Sequence, residues 1–349
     1  MYKTMFVFAT ALVICVCLTP ATRQLALRLG MVDLPGPRKL HLKPIPLLGG
    51  LAIYISAILA ILLFSDGKAR AQIIGIVAGA TLLTIVGILD DRKLLHHQVK
   101  LMIAMPIAAL ILVASGIHTS ILLPFGHSFG PPVVWQFADY LLTIFWVVGI
   151  TAAFSILDHM DGLCTGVAAV ASAFFLIFSF LNGQILVGIL AAALLGTSLG
   201  FLGWNFNPAK IFMGDGGAMF LGFMMATLAL KLRFPPMPQA ISWMIPVLIL
   251  GVPIFDTSLV SVSRARRDLI PFTSPGKDHI AHRLANLGLG QRGAVLVLYA
   301  LGVFFGLLAL IVSWLSVPQC YILASVILLA VLIAIALLER APYERQHKS

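Results

Sequence analysis

The sequence predicts an all-α, polytopic integral membrane protein with about 11 transmembrane helices. Three observations predict it. Of the 349 residues, 60% are hydrophobic and 10% charged, whereas a soluble domain carries roughly 25% charged residues. The mean hydropathy is +1.04. The apolar residues fall into eleven runs, each near the roughly 20 residues that a span needs. No soluble domain, low-complexity linker or internal repeat interrupts them, so a single membrane-embedded domain over 1–349 is expected.

The first run, 5–21, follows Lys3 as a signal peptide would. No small-x-small cleavage site comes after it, and it reads as an uncleaved span. The second, 46–64, follows a proline-rich basic stretch. The third, 71–90, closes on Asp90 and Asp91. The fourth is 99–116, and the fifth, 134–155, stops just short of Asp158 and Asp161. The sixth and seventh, 163–181 and 185–203, lead to the segment from Trp204 to Gly217. The eighth, 213–231, opens on Asp215. The ninth, 240–261, carries Asp256 and precedes the largest basic loop. The last two are 292–315 and 319–338.

Charge orients these spans. The net charge is +10, which the positive-inside bias explains without nucleic acid. Eighteen of the 23 Lys and Arg residues fall in one set of loops, which is therefore cytoplasmic. An odd number of spans then puts the N-terminus outside and the C-terminus in the cytoplasm. Nine of the eleven Asp residues gather on the same side; Asp66 and Asp139 do not. Helix ends are cheap places for charge, but cost alone favours neither face. A shared cytoplasmic site does. The four cysteines have no zinc-like spacing and read as small apolar residues.

Asp215 is the carboxylate the chain is organised around. It lies among Gly214, Gly216 and Gly217, which let backbone approach a ligand closely, and it suits a hard cation such as Mg²⁺. Asp90 and Asp91 are adjacent and diverge by about 100° on a helix. One would face a metal or substrate while the other holds neighbouring basic groups. Asp158 and Asp161 are three apart, on one face if helical, placed to orient a sugar or a lysine, or to lie behind a metal's ligands. Alternatively, Asp161 caps the sixth span. His279 and His282, flanked by Lys277 and Arg283, look like a diphosphate clamp. Lys43 sits in the rigid first loop, whose cations would hold an anionic headgroup or simply contact anionic lipid. Carboxylates, phosphate-binding cations and a bilayer suit phosphoryl chemistry between a nucleotide and a lipid phosphate. No Walker loop is present. An ion-coupled transporter would place its acids near the midplane on broken helices. A lipid phosphatase would use water as acceptor.

In this order, Asp90-Asp91, Asp158-His159-Met160-Asp161-Gly162-Leu163, Pro208 to Asp215 and His279-Ile280-Ala281-His282-Arg283 resemble the bacterial polyprenyl-phosphate N-acetylhexosamine-1-phosphate transferases. The likeness runs from about residue 33 to 284, and the eleven spans and two-His loop are similar to the N-acetylglucosamine-1-phosphate branch. The resemblance implies transfer of a sugar-1-phosphate, most simply N-acetylglucosamine-1-phosphate, from a UDP-sugar to undecaprenyl phosphate with release of UMP, at the start of a cell-envelope polysaccharide. Another UDP-N-acetylhexosamine is the alternative donor. The resemblance also implies Mg²⁺, with Mn²⁺ as a substitute, the bacterial inner membrane, and room for a homodimer. It makes Asp215 the metal ligand, Asp90 a metal ligand or activator of the lipid phosphate, and Asp91 its catalytic partner. Asn205 becomes a nucleotide contact, Lys100 a retained lysine of the pattern, and His279 and His282 the outer histidines of the phosphate loop. Ser155 and Ala152 stand where the family has Asn, Ala281 is the middle of the His loop, and Gln98 replaces a Lys. These departures bear on the sugar and diphosphate rather than on the metal.

Overall fold

A computed structural model describes residues 2–35, 43–65, 67–95, 97–122, 131–235, 237–269 and 276–341. Arg38, Lys39, Arg345 and Lys348, four of the eighteen cations that orient the spans, lie outside them, as does Asp66. All eleven expected runs are helical. In order they form α1 (Tyr2–Arg28), α2 (Gly49–Phe64), α3 (Arg70–Asp91), α4 (Lys100–Ala114), α5 (Pro132–Leu157), α6 (Leu163–Leu181), α7 (Ile185–Asn205), α8 (Gly214–Lys231), the pair α9 (Gln239–Ile249) and α10 (Gly251–Ala265), α11 (Ile280–Val312) and α12 (Val317–Leu338). Among the described residues, seven helices are long and apolar enough to cross a membrane, or eight if α9 and α10 are one bent span. The expected count of eleven is not reached by that measure. Helix α2 has 16 residues and α4 is similarly short, while α8 carries a charge in each terminal turn.

The chain forms two compact units, Met1–Arg233 and Phe234–Ser349. In the first, α8 is the central element. It packs against α2, α3, α5, α6 and α7, and every residue in it except Asp215 and Lys231 is buried. Between its two terminal charges α8 is apolar on all sides, as a helix packed all round by others is. The approach to α3 is close: a Cβ on Gly87 would lie 2.4 Å from the backbone nitrogen of Gly216. Helix α8 is about 27 Å long at 1.5 Å per residue, so Asp215 and Lys231 mark opposite ends of the unit. At the Lys231 end, its ammonium donates to Gln72 at the start of α3 at 2.8 Å.

A short backbone ladder sits at the Asp215 end. Strands β1 (Val32–Asp33) and β2 (Ile45–Pro46) pair antiparallel. The chain beyond β2 then pairs with the segment before α8. Phe212 N–H donates to the Pro46 carbonyl at 2.9 Å, Gly49 N–H to Phe212 O at 2.9 Å, and Gly50 N–H to Met213 O at 2.8 Å.

In the second unit, α9 and α10 meet at a 79° bend. Pro253 has no N–H to give the Ile249 carbonyl, so the ladder breaks where the two helices join. Helix α9 packs against α11 and α12, and α10 against α11. Helix α12 starts with a capping box between Ser316 and Gln319. Only 6% of its most apolar window is buried, which suits lipid contact.

Candidate active site

The site in the first unit starts from the positive φ of Gly214, +71°, a backbone region open to glycine. A Cβ here would lie 2.4 Å from Asp91 Oδ2. With no side chain in the way, Asp91 reaches the first turn of α8. Its Oδ1 accepts the Asp215 N–H at 2.9 Å and its Oδ2 the Gly216 N–H at 3.4 Å. The first N–H groups of a helix have no partner inside it, and Asp91 satisfies two of them from α3. Of the Asp90-Asp91 pair, Asp91 binds backbone amides, and the basic group falls to Asp90.

Asp90, one residue earlier and about 100° around the helix, meets Lys100 and Asp215. The Lys100 ammonium donates to Asp90 Oδ2 at 2.7 Å and to Asp215 Oδ2 at 2.5 Å. Lys100 opens a π-helical turn, Lys100–Ala104, at the head of α4, a distortion frequent at functional sites. Asp215 Oδ1 accepts the Ser155 hydroxyl at 2.7 Å. The side chains of Lys100, Asp90 and Asp215 are 17%, 14% and 23% exposed, so the cluster is recessed yet reachable. The structure thus brings Asp90, Asp91, Asp215 and Lys100 together and adds Ser155. The sequence marked Ser155 only as a departure from a family pattern. Its place one helical turn before Asp158 was the available signal.

Asp158 and Asp161 do not share a helix face, because α5 ends at Leu157 and a turn follows. Burial raises the Asp158 pKa well above the ordinary carboxylate value, and the negative charges of Asp215, Asp91 and Asp161 push the same way. Asp161 does not cap α6. Its Oδ2 accepts the Asn207 side-chain N–H and the Ala209 N–H, both at 3.0 Å, and so pins the segment leading to α8. Asn205 does the capping. It is 2% exposed, its Oδ1 accepts the Gly162 N–H and the Thr165 hydroxyl at 3.1 Å, and its Nδ2 donates to the Ile211 carbonyl at 3.0 Å. Asn205, expected as a nucleotide contact, here clamps α6, α7 and the 206–213 segment together. Lys43 is exposed, just ahead of β2.

In the second unit the expected His loop is half helix. His279 is the N-cap of the first turn of α11, and His282 and Arg283 lie within that turn. Asp256 secures it: Oδ2 meets His279 Nδ1 at 2.8 Å and Oδ1 accepts the Ile280 N–H at 2.8 Å. A lone carboxylate in an apolar run was the sequence signal for Asp256. Asp278 accepts from Arg264 Nε and Nη2 at 3.0 and 2.9 Å and from Arg267 at 2.6 Å. Burial opposes its charge, but the Arg264 and Arg267 guanidiniums prevail and hold its carboxyl below the usual range. Arg283, expected as a substrate contact, is held by protein groups in this structure. It is fully buried, and its guanidinium is spent on the Asp278 and Leu338 carbonyls, the Ser263 hydroxyl and Glu339 at 2.5–2.9 Å. His282 is also buried, while Lys277 and its neighbour Gly276 are partly exposed.

Residues 73–233, which hold the whole carboxylate–lysine cluster, match the model of glycosyl transferase family 4. The chain is 34% identical over 332 residues to the "probable undecaprenyl-phosphate N-acetylglucosaminyl 1-phosphate transferase" of Bacillus subtilis, covering 93% of this chain and 90% of the relative. It is 33% identical to the decaprenyl-phosphate N-acetylglucosaminephosphotransferase of Mycolicibacterium smegmatis, over 83% and 77% of the two chains. Identity to the undecaprenyl-phosphate alpha-N-acetylglucosaminyl 1-phosphate transferase of Yersinia pestis is 27%, over 89% and 85%. With likeness that runs nearly end to end and a family match centred on the acidic cluster, the chain belongs to glycosyl transferase family 4, among the polyprenyl-phosphate N-acetylglucosamine-1-phosphate transferases.

Proposed function

We infer that this chain transfers N-acetylglucosamine-1-phosphate from UDP-N-acetylglucosamine to undecaprenyl phosphate and releases UMP. The observation that carries the reading is the convergence of Asp90 and Asp215 on one cation, at 2.7 and 2.5 Å, in a chain similar over 93% of its length to a relative named for this reaction. Two carboxylate oxygens that already share a cation are the donor set Mg²⁺ takes, with Mn²⁺ an acceptable substitute. Asp90 and Asp215 would hold the ion. When bound, it neutralises charge on a diphosphate and on a departing phosphate.

The chain's own groups supply position. Asp91 fixes the first turn of α8, Ser155 fixes the rotation of the Asp215 carboxylate, and Lys100 brings a mobile positive charge to the phosphates. An oxygen of the lipid phosphate attacks the sugar-linked phosphorus. A new P–O bond forms, the bond to the bridging oxygen breaks, and that oxygen leaves with UMP. A phosphate is largely ionised at pH 7, so orientation and electrostatics contribute more than a base. Asp158 faces the donor sugar or its diphosphate in this reading, and Lys277 and His279 keep a phosphate role on their chemistry. The whole chain then acts as one transferase domain in the bacterial inner membrane, N-terminus outside and C-terminus in the cytoplasm.

Membranes containing the protein, given undecaprenyl phosphate and a panel of UDP-sugars, test the reading. UDP-N-acetylglucosamine should yield a lipid diphosphate sugar and one UMP per product. Release of inorganic phosphate without a sugar-bearing lipid would point to a hydrolase instead.

A further inference from the structure

The oxygens of the acidic cluster are unequally committed. Asp91 gives both of its oxygens to backbone N–H groups, and Asp215 gives Oδ1 to Ser155. Asp90 Oδ2 and Asp215 Oδ2 instead meet at one point, and the Lys100 ammonium fills it. Two carboxylates this close repel each other unless a cation lies between them. A divalent ion that took both oxygens would need the place Lys100 occupies.

We propose that Lys100 is a resident counter-cation of the metal-free site, displaced when the site is loaded, and that a nucleotide diphosphate promotes metal binding by drawing the ammonium onto its own phosphates. The second clause rests on the donor assigned above. Lysine suits the part: it is a compact charge on a flexible four-carbon stem, able to change partners without backbone movement. The outcome is reciprocal. If the diphosphate tightens metal binding by some factor, the metal tightens diphosphate binding by the same factor. An idle enzyme would then keep its carboxylates paired without holding metal tightly.

The test uses the full-length protein in detergent, with Mn²⁺ as the probe and electron paramagnetic resonance reporting bound ion. Without nucleotide, Lys100→Met should bind Mn²⁺ more tightly than wild type by about fivefold or more, the lower range of site-to-site coupling. Lys100→Arg keeps the cation and should stay near wild type. In metal-free buffer Lys100→Met should unfold at a lower temperature than wild type and recover more on adding Mn²⁺. If it binds Mn²⁺ no better than wild type, or if it is unstable and Mn²⁺ does not restore it, Lys100 is not a counter-cation. UDP, corrected for its own Mn²⁺ binding with Asp215→Asn, should tighten Mn²⁺ binding to wild type and do so less in Lys100→Met. Equal coupling in both would overturn the displacement step. If UDP fails to bind while the Lys100→Met gain persists, the donor assignment falls and the resident cation stands.

Discussion

Asp215 is oriented by Ser155, Lys100 and, through its own N–H, Asp91. Asp215→Asn keeps the shape and the N–H while removing the charge. It should insert and fold normally yet lose about 100-fold or more of the proposed Mg²⁺-dependent turnover, the size of one lost electrostatic contact at a reacting phosphate. Near-normal rates at low Mg²⁺ would remove the metal role. Arg283 should behave in the opposite way. Arg283→Met leaves Glu339, itself 10% exposed, without its 2.7 Å partner, and breaking a buried pair costs about 3–5 kcal/mol. Melting should therefore fall clearly, with KM for the UDP-sugar unchanged in the enzyme that survives. Asp278 sets the pH response of the same loop. Its folded pKa is depressed, so its stabilisation is complete above the unfolded carboxylate value of about 3.9 and is lost as pH falls through the folded one. The melting deficit of Asp278→Asn against wild type should stay constant from pH 8 to 5 and shrink only below about pH 4. These residues show what was legible. The sequence named the acids and cations and their order. It could not say that Asn205, Asp91 and Arg283 bind the protein's own groups, because an amide, carboxylate or guanidinium that binds a ligand and one that binds backbone are the same letter.

At the scale of the helix, α8 and α12 look alike as strings of apolar residues. Yet α8 is buried almost throughout and α12 is bare. Hydropathy detects an apolar surrounding but cannot tell protein from lipid, since lipid tails are as apolar as leucine. The apolar runs were therefore readable as helices and their neighbours were not. The 79° bend in the ninth run was readable only as a proline. Small residues were the better clue to contact. Gly87→Val should be among the most damaging changes in α3, since its Cβ would fall 2.4 Å from the Gly216 nitrogen and the obstacle is backbone. Overpacking of this kind costs about 1–3 kcal/mol or more. Because the clash lies at the first turn of α8, activity should fall even in the fraction that still folds, as specific activity per folded molecule would show.

For the whole molecule, the charge asymmetry makes a prediction about the two ends of the first unit. Its acidic cluster lies at the Asp215 end of α8, while Lys231 meets Gln72 at the other. A cysteine placed near His118 should react with an impermeant thiol reagent applied from outside, and one near Lys277 should not. The background should lack the exposed Cys17. The reverse labelling pattern would invert the proposed topology and move the chemistry to the wrong side for a UDP-sugar. The pairing of Leu47 with Phe212 has a consequence for biosynthesis. It closes a loop on the order of 165 residues, and contacts so distant in sequence form late. Asp215 cannot take its working orientation until α8 has emerged and its leading segment has joined a strand inserted before α2. Until its own eighth helix arrives, then, the growing chain sits among lipid phosphates with its acidic cluster unassembled.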